Sequence, residues 1–137
     1  MSDCLFCKIA NKEIPANIVY ENEHVLAFLD INPVNEGHTL VIPKKHAKDL
    51  EEIDENSYLE VQKVVRFLAP KISQAVGACG FNIGQNNKQC SGQVIFHLHV
   101  HIMPRFENDN HQLWHGQQKS PQELEQTLEK IKNSLNQ

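Results

Sequence analysis

Phe96, Leu98, Val100 and Ile102 alternate strictly with His97, His99 and His101, and no other stretch limits the fold so tightly. A β-strand sends successive side chains to opposite faces, so this run predicts a half-buried strand from Val94 to Met103, ended by Pro104. One face is wholly apolar and needs a core. The other sets three imidazoles in a row, about 6–7 Å apart at a rise of ~3.3 Å per residue. Imidazole titrates near neutrality, so it can serve as nucleophile, proton carrier or metal ligand. The chain has eight histidines, and three on one exposed face have no packing purpose. Histidines at i and i+2 can share a zinc ion, whereas three in line do not easily converge on one. A metal therefore explains part of the run, and a division of labour the rest.

The remaining pattern supplies the sheet. Ile18–Tyr20 and Val25–Leu29 read as strands around a turn, followed by a loop from Asp30 to Gly37. Thr39–Ile42 is a strand closed by Pro43, which cannot donate to a central ladder. From Asp54 the period changes: Val61, Val64, Val65, Leu68, Ile72, Ala75 and Val76 predict a long amphipathic helix that stops at Gly77 and bends at Pro70. Phe81–Ile83 is a short strand, Gly84–Gly92 a polar loop, and 106–119 an irregular segment. Ser120, Pro121 and Glu123 open a last helix, whose stripe of Leu124, Leu128, Ile131 and Leu135 is narrow enough to lie on the surface or on a partner. The expectation is one α+β domain over residues 1–137, a five-stranded antiparallel sheet with one long helix and a C-terminal helix.

Charge and hydropathy exclude some partners. The net charge is −4 and no basic run extends beyond Lys44-Lys45, so long nucleic acid is not expected, although a small nucleotide could bind locally. No run nears the ~20 apolar residues of a membrane span, and residues 1–10 lack the apolar core of a signal peptide, which points to the cytoplasm. In that reducing compartment the Cys4-x-x-Cys7 pair suggests metal or redox chemistry rather than a disulfide. With no strand before Cys4, zinc fits better than a thioredoxin-like motif, and two ordinary free cysteines are the alternative.

Residues 92–105, Gly-Gln-Val-Ile-Phe-His-Leu-His-Val-His-Ile-Met-Pro-Arg, resemble the signature of the histidine triad (HIT) family, His-φ-His-φ-His-φ-φ with φ apolar. Residues 37–46, Gly-His-Thr-Leu-Val-Ile-Pro-Lys-Lys-His, are similar to a second block of that family, as are Asp30-Ile31-Asn32-Pro33 and Cys4-Leu5-Phe6-Cys7-Lys8-Ile9 with Glu13-Ile14-Pro15. The resemblance covers about residues 4–106 and leaves the tail outside it.

The resemblance implies a nucleotide-binding hydrolase that cleaves at the α-phosphorus through a nucleotidyl-histidine intermediate. It makes His99 the nucleophile and gives His101 to the phosphate oxygens or leaving group. It sets His38 near the phosphates, Asp30 on the ribose hydroxyls and Asn86 near the phosphate and leaving group, and counts Gln93, of the Gly-Gln step before the triad strand, among the substrate-binding residues. It implies one structural zinc ion per chain, held by Cys4, Cys7, His46 and His97, and a homodimer. Ile18, Phe28 and Ile31 would wall the base. Val94 stands where the phosphoramidase branch commonly has Ser, so a hydroxyl contact is lost there. The expected ligand is an AMP- or GMP-like purine nucleotide and the expected reaction purine nucleoside phosphoramidate hydrolysis. The alternatives are a dinucleoside polyphosphate (Ap4A-type) hydrolase, a nucleotide-binding regulatory module with vestigial activity, and a zinc-binding interaction protein.

Overall fold

Two strands carry apolar side chains on both of their faces, and the architecture follows from the need to cover both. In the computed structural model, which describes residues 3–136, these are β2 (Val25–Leu29) and β3 (Thr39–Pro43). They pair antiparallel at the centre of a five-stranded sheet with β1 (Ile18–Glu21), β4 (Gly80–Gly84) and β5 (Val100–Arg105), in the order β1-β2-β3-β5-β4. On one face Val25, Ala27, Val41, Val100 and Ile102 pack against Val61, Val64, Val65 and Leu68 of a long helix. On the other, Leu26, Phe28, Leu40 and Ile42 pack against Phe6 and Ile9 of a short one. Sheets covered on both sides lose the apolar–polar alternation, which is why β2 and β3 read as continuous apolar runs.

The short helix, α1 (Leu5–Ala10), has no counterpart among the predicted elements. Six residues barely exceed a helical nucleus and would not hold alone in water. Tertiary contacts hold α1: Phe6 and Ile9, one turn apart, are buried, and the Cys4 thiol caps its first turn.

The long helix, α2 (Glu55–Ala75), matches its predicted period, with Asp54 as N-cap accepting from the Ser57 amide at 3.0 Å. It runs unbroken past Pro70, which sits on the exposed face, and it buries Ala69 and Ser73 in place of Ala75. Helix α3 (Pro121–Leu135) begins at Ser120 with a complete capping box and Pro121 in its first turn, as predicted, and buries none of its residues. Among the described residues no helix is long and apolar enough to cross a membrane.

The histidine strand departs from expectation at both ends. Regular pairing begins at Val100, not Val94, because the β3 ladder stops at the pair Val41–Val100. Beyond it Pro43 has no N–H to offer, and its carbonyl is taken by the His97 ring at 2.8 Å. Nor does Pro104 end the strand, which continues to Arg105 on β4. On the β3 side the ladder has already ended at Thr39–Ile102, and the Pro104 carbonyl accepts from Asn35 Nδ2 at 3.0 Å. The imidazole face is also not open: His97 is fully buried and His99 is 8% exposed, because Phe6 lies over both rings.

Candidate active site and metal centre

Four donors converge where α1, the end of β3 and the approach to β5 meet. Cys4 and Cys7 lie one helical turn apart and so share a face of α1. Cys4 Sγ is 3.3 Å from His97 Nδ1, Cys7 Sγ is 3.3 Å from His46 Nδ1 and 3.5 Å from His97 Nδ1, and the two Nδ1 atoms are 3.1 Å apart. A tetrahedral ion with Zn–S of about 2.3 Å and Zn–N of about 2.0–2.1 Å has edges of about 3.6 Å (S···N) and 3.3 Å (N···N). These Cys–His and His–His separations come within about 0.3 Å of those edges. A carbonyl can only accept, so His97 donates Nε2–H to Pro43 and turns the Nδ1 lone pair toward the other ligands. Burial pushes His97 down to about 4, which keeps the ring neutral as a ligand must be. The four side chains fit a metal ion.

His99 and His101 are oriented by the same logic with opposite results. His99 Nδ1 lies 2.8 Å from the His97 carbonyl and donates to it, which leaves Nε2 as a bare lone pair. The Phe6 ring meets it edge-on at 5.1 Å, and burial holds it below the ordinary imidazole value. His101 lies beside it, the ring centroids 4.9 Å apart. The Val34 amide donates to His38 Nδ1 at 3.0 Å, so the proton of neutral His38 sits on Nε2. That nitrogen lies 2.9 Å from His101 Nδ1, which must accept, and His101 therefore carries its own proton on Nε2.

Asp30, His38 and His101 also lie close enough together to ligate a metal. Here the polarity is wrong. A metal on His38 Nε2 would drive the proton to Nδ1, against the Val34 N–H. The Asp30 carboxylate, 3.6 Å from His38 Nε2, supports the same tautomer. The first cluster turns lone pairs inward; the second holds a directed proton chain.

His38, His101, Asn86, Met103, Leu113 and Trp114 contribute to the wall of a cavity of about 450 Å³. His99 and Asp30 lie outside that wall, His99 reaching it through its neighbour His101. Gln93 is buried, with its amide nitrogen bonded to the Lys48 and Ile95 carbonyls and its oxygen accepting from the Lys88 amide. It braces the loop that carries Asn86. Gly92 is required beside it: its φ is +105° and a Cβ would come 3.3 Å from Asn86 Nδ2. Of the residues expected to wall a base, Phe28 is buried in the core against Phe6, while Ile18 and Ile31 are exposed.

Sequence reasoning missed Phe6, Val34 and the tail residues that complete the cavity. The tail is irregular as expected, yet it is built. Arg105 clasps Asp109 with Nε and an Nη at 2.7 and 2.9 Å, and Asn35 Nδ2 joins the same carboxylate at 2.9 Å. Arg105 holds the Asp109 carboxyl well below the usual carboxylate range.

Burial also pushes His101 down to about 4 and lowers His38. The unfolded chain, with imidazoles near 6.5, takes up protons that the folded one refuses. This part of the stability is full above about pH 6.5 and is lost as pH falls toward 4. Thermal melts of the protein and of a His38→Gln/His101→Gln variant should therefore differ in slope between pH 6.5 and 4. Equal slopes would show that neither ring carries the linkage.

The α+β domain thus carries a directed histidine pair beside a Cys/His set that fits a metal ion. A HIT domain is matched over residues 11–108, and the chain belongs to that family. It is 46% identical over 129 residues to an uncharacterized HIT-like protein of Methanocaldococcus jannaschii, covering 94% of this chain and 98% of that one. It is 36% identical over 135 residues to the adenosine 5'-monophosphoramidase of Schizosaccharomyces pombe, covering 96% and 98%. A crystal structure of a Streptococcus mutans protein superposes with a TM-score of 0.93 at 40% identity, over 98% of this chain and 87% of that one. A zinc-bound histidine triad protein of Mycobacterium smegmatis gives 0.76 at 32% identity, over 96% and 97%.

Proposed function

We propose that the chain is a purine nucleoside phosphoramidate hydrolase that works through a nucleotidyl–His99 intermediate. The observation that carries this reading is the opposed polarity of adjacent rings, a lone pair on His99 Nε2 beside an N–H on His101 Nε2. His99 Nε2 bonds to the α-phosphorus and the bond to the leaving nitrogen breaks. The ring acquires positive charge, which faces the His97 carbonyl that already holds Nδ1–H. His101 donates a hydrogen bond where charge develops at the phosphate oxygens or leaving group. The amine leaves with a proton from solvent. Water then cuts the nucleotidyl–His99 bond and returns a proton, so the net change is hydrolysis.

Asp30 takes the ribose hydroxyls, His38 and Asn86 the phosphate region, and Gln93 acts by bracing the loop that carries Asn86. The metal is zinc, one per chain, and its chemistry is structural: four protein ligands leave no position for water. The activity of the fission yeast relative supports the substrate class, and the zinc-bound relative supports the metal. We read residues 1–137 as one unit that works in the cytoplasm as a homodimer. Exposed Phe81 and Ile83 on the edge strand β4 and the uncovered stripe of α3 support self-association. Sedimentation equilibrium should give twice the 15.7 kDa chain mass, and a monomer mass at micromolar protein would refute the dimer.

Adenosine 5'-phosphoramidate and diadenosine tetraphosphate, offered separately, test the activity. The expected result is release of AMP from the first at a kcat/KM at least tenfold higher. Preference for the polyphosphate would instead identify an Ap4A-type hydrolase, and no turnover of either would leave a binding module.

A further inference from the structure

We propose that His111, in the tail beyond the matched HIT domain, is a positioning residue that holds His101 in its donating tautomer by way of Val34 and His38. His111 Nε2 lies 2.9 Å from the Val34 carbonyl and, facing an acceptor, donates to it. The amide of the same Val34 donates to His38 Nδ1, and His38 Nε2–H donates to His101 Nδ1. Three hydrogen bonds run in one direction, from the tail to the cavity. The inference rests on the reading of His101 as a donor at the phosphate oxygens or leaving group, and takes the leaving group as its target.

The chain needs an anchor because its middle link is on a soft element. Residues 31–34 are exposed, with no regular structure around Val34, and a neutral imidazole carries its proton on either nitrogen unless a neighbour decides. If the Val34 amide swings away, Asp30 alone biases His38, and His101 is free to turn its proton inward and offer the cavity a lone pair. Two side chains tie that loop to the tail: His111 through Val34, and Asn35 through Asp109 and the Pro104 carbonyl.

The anchor itself is rigidly held. The His111 amide donates to Asp109 Oδ1 at 3.1 Å, and the His111 carbonyl accepts from Arg105 at 2.9 Å. The Asp109 side chain is 8% exposed and also accepts from the Phe106 amide. Asn108 and Asn110 take φ values of +61° and +65° to shape this turn, a conformation that Asn tolerates better than most residues. His111 is exposed, so its substitution removes a bond without opening the core.

Long-range ¹H–¹⁵N spectra of protein labelled at histidine test this directly, because the two ring nitrogens of each tautomer have distinct shifts. The wild-type protein should show His38 and His101 both protonated on Nε2. His111→Ala should mix the tautomers at both rings, His111→Gln, which keeps a side-chain N–H, should restore them, and Asp109→Asn should reproduce part of the alanine effect. In turnover, His111→Ala should lower kcat about tenfold for an alkylamine leaving group, leave KM within twofold, and change little for a better leaving group such as pyrophosphate. Unchanged spectra in His111→Ala, or His101 protonated on Nδ1 in the wild type, would overturn the proposal. Absence of phosphoramidate turnover with the spectral changes intact would overturn the substrate reading and leave the positioning role standing.

Discussion

Replacing His99 by Asn should lower kcat/KM for adenosine phosphoramidate by at least about 10⁴-fold, about 5 kcal/mol at 1.36 kcal/mol per tenfold. No neighbouring group can take over. His97 is fully buried with both nitrogens committed, Nε2 to Pro43 and Nδ1 to the metal cluster. His101 and His38 present protons along their chain, not lone pairs to phosphorus. Asn can keep a donor toward the His97 carbonyl and a polar group against Phe6, so the melting temperature should move by only a few degrees. Two further readouts isolate the nucleophile. Wild-type protein denatured and held at alkaline pH, where the P–N bond survives, should carry the mass of one nucleotidyl group, absent in His99→Asn, and His99→Gly should regain measurable turnover with added imidazole. Activity of His99→Asn within tenfold of wild type would refute the covalent route.

The same strand shows what sequence can and cannot disclose. The alternation over 96–102 marked three imidazoles on one face, and the structure gives each a different hydrogen-bond partner. It could not disclose that both sides of residues 97–100 are buried, because the cover comes from α1, ninety residues earlier. A six-residue helix offers one turn of apolar spacing, Phe6 with Ile9, and that is too little periodicity to separate from chance. The central strands were legible as strands from their β-branched and apolar content, and the two helices on opposite faces explain why they did not alternate. His46 has no local pattern at all; the resemblance alone set it beside Cys4, Cys7 and His97, where the structure brings it. The roles of Val34 and His111 lie further still from sequence, since one acts through its backbone and the other through a contact across 77 positions.

Removal of the metal should cost more in stability than in chemistry. Protein as purified should hold about one zinc ion per chain, and Cys4→Ala/Cys7→Ala should hold none. The site joins α1 to the end of β3 and to the segment before His99. Without it, α1 keeps only the burial of Phe6 and Ile9, and three buried or half-buried ligands face one another without a cation. A loss of several kcal/mol follows, and at about 2–4 °C per kcal/mol for a chain of this size the melting temperature should fall by on the order of 10 °C. The effect on turnover should be smaller, a few-fold below the melting range, because His99 is oriented by the His97 carbonyl and not by its ring. That carbonyl shifts only as far as the His97 backbone does, and the Leu98 amide bonded to the Ala47 carbonyl at 2.7 Å limits the shift. Metal content, melting temperature and kcat/KM at 15 °C, measured on the same samples before and after chelation, decide the matter. A metal-free preparation with an unchanged melting temperature would sink the structural role, and a turnover loss as large as that of His99→Asn, at a temperature where the protein is still folded, would move the metal into the chemistry.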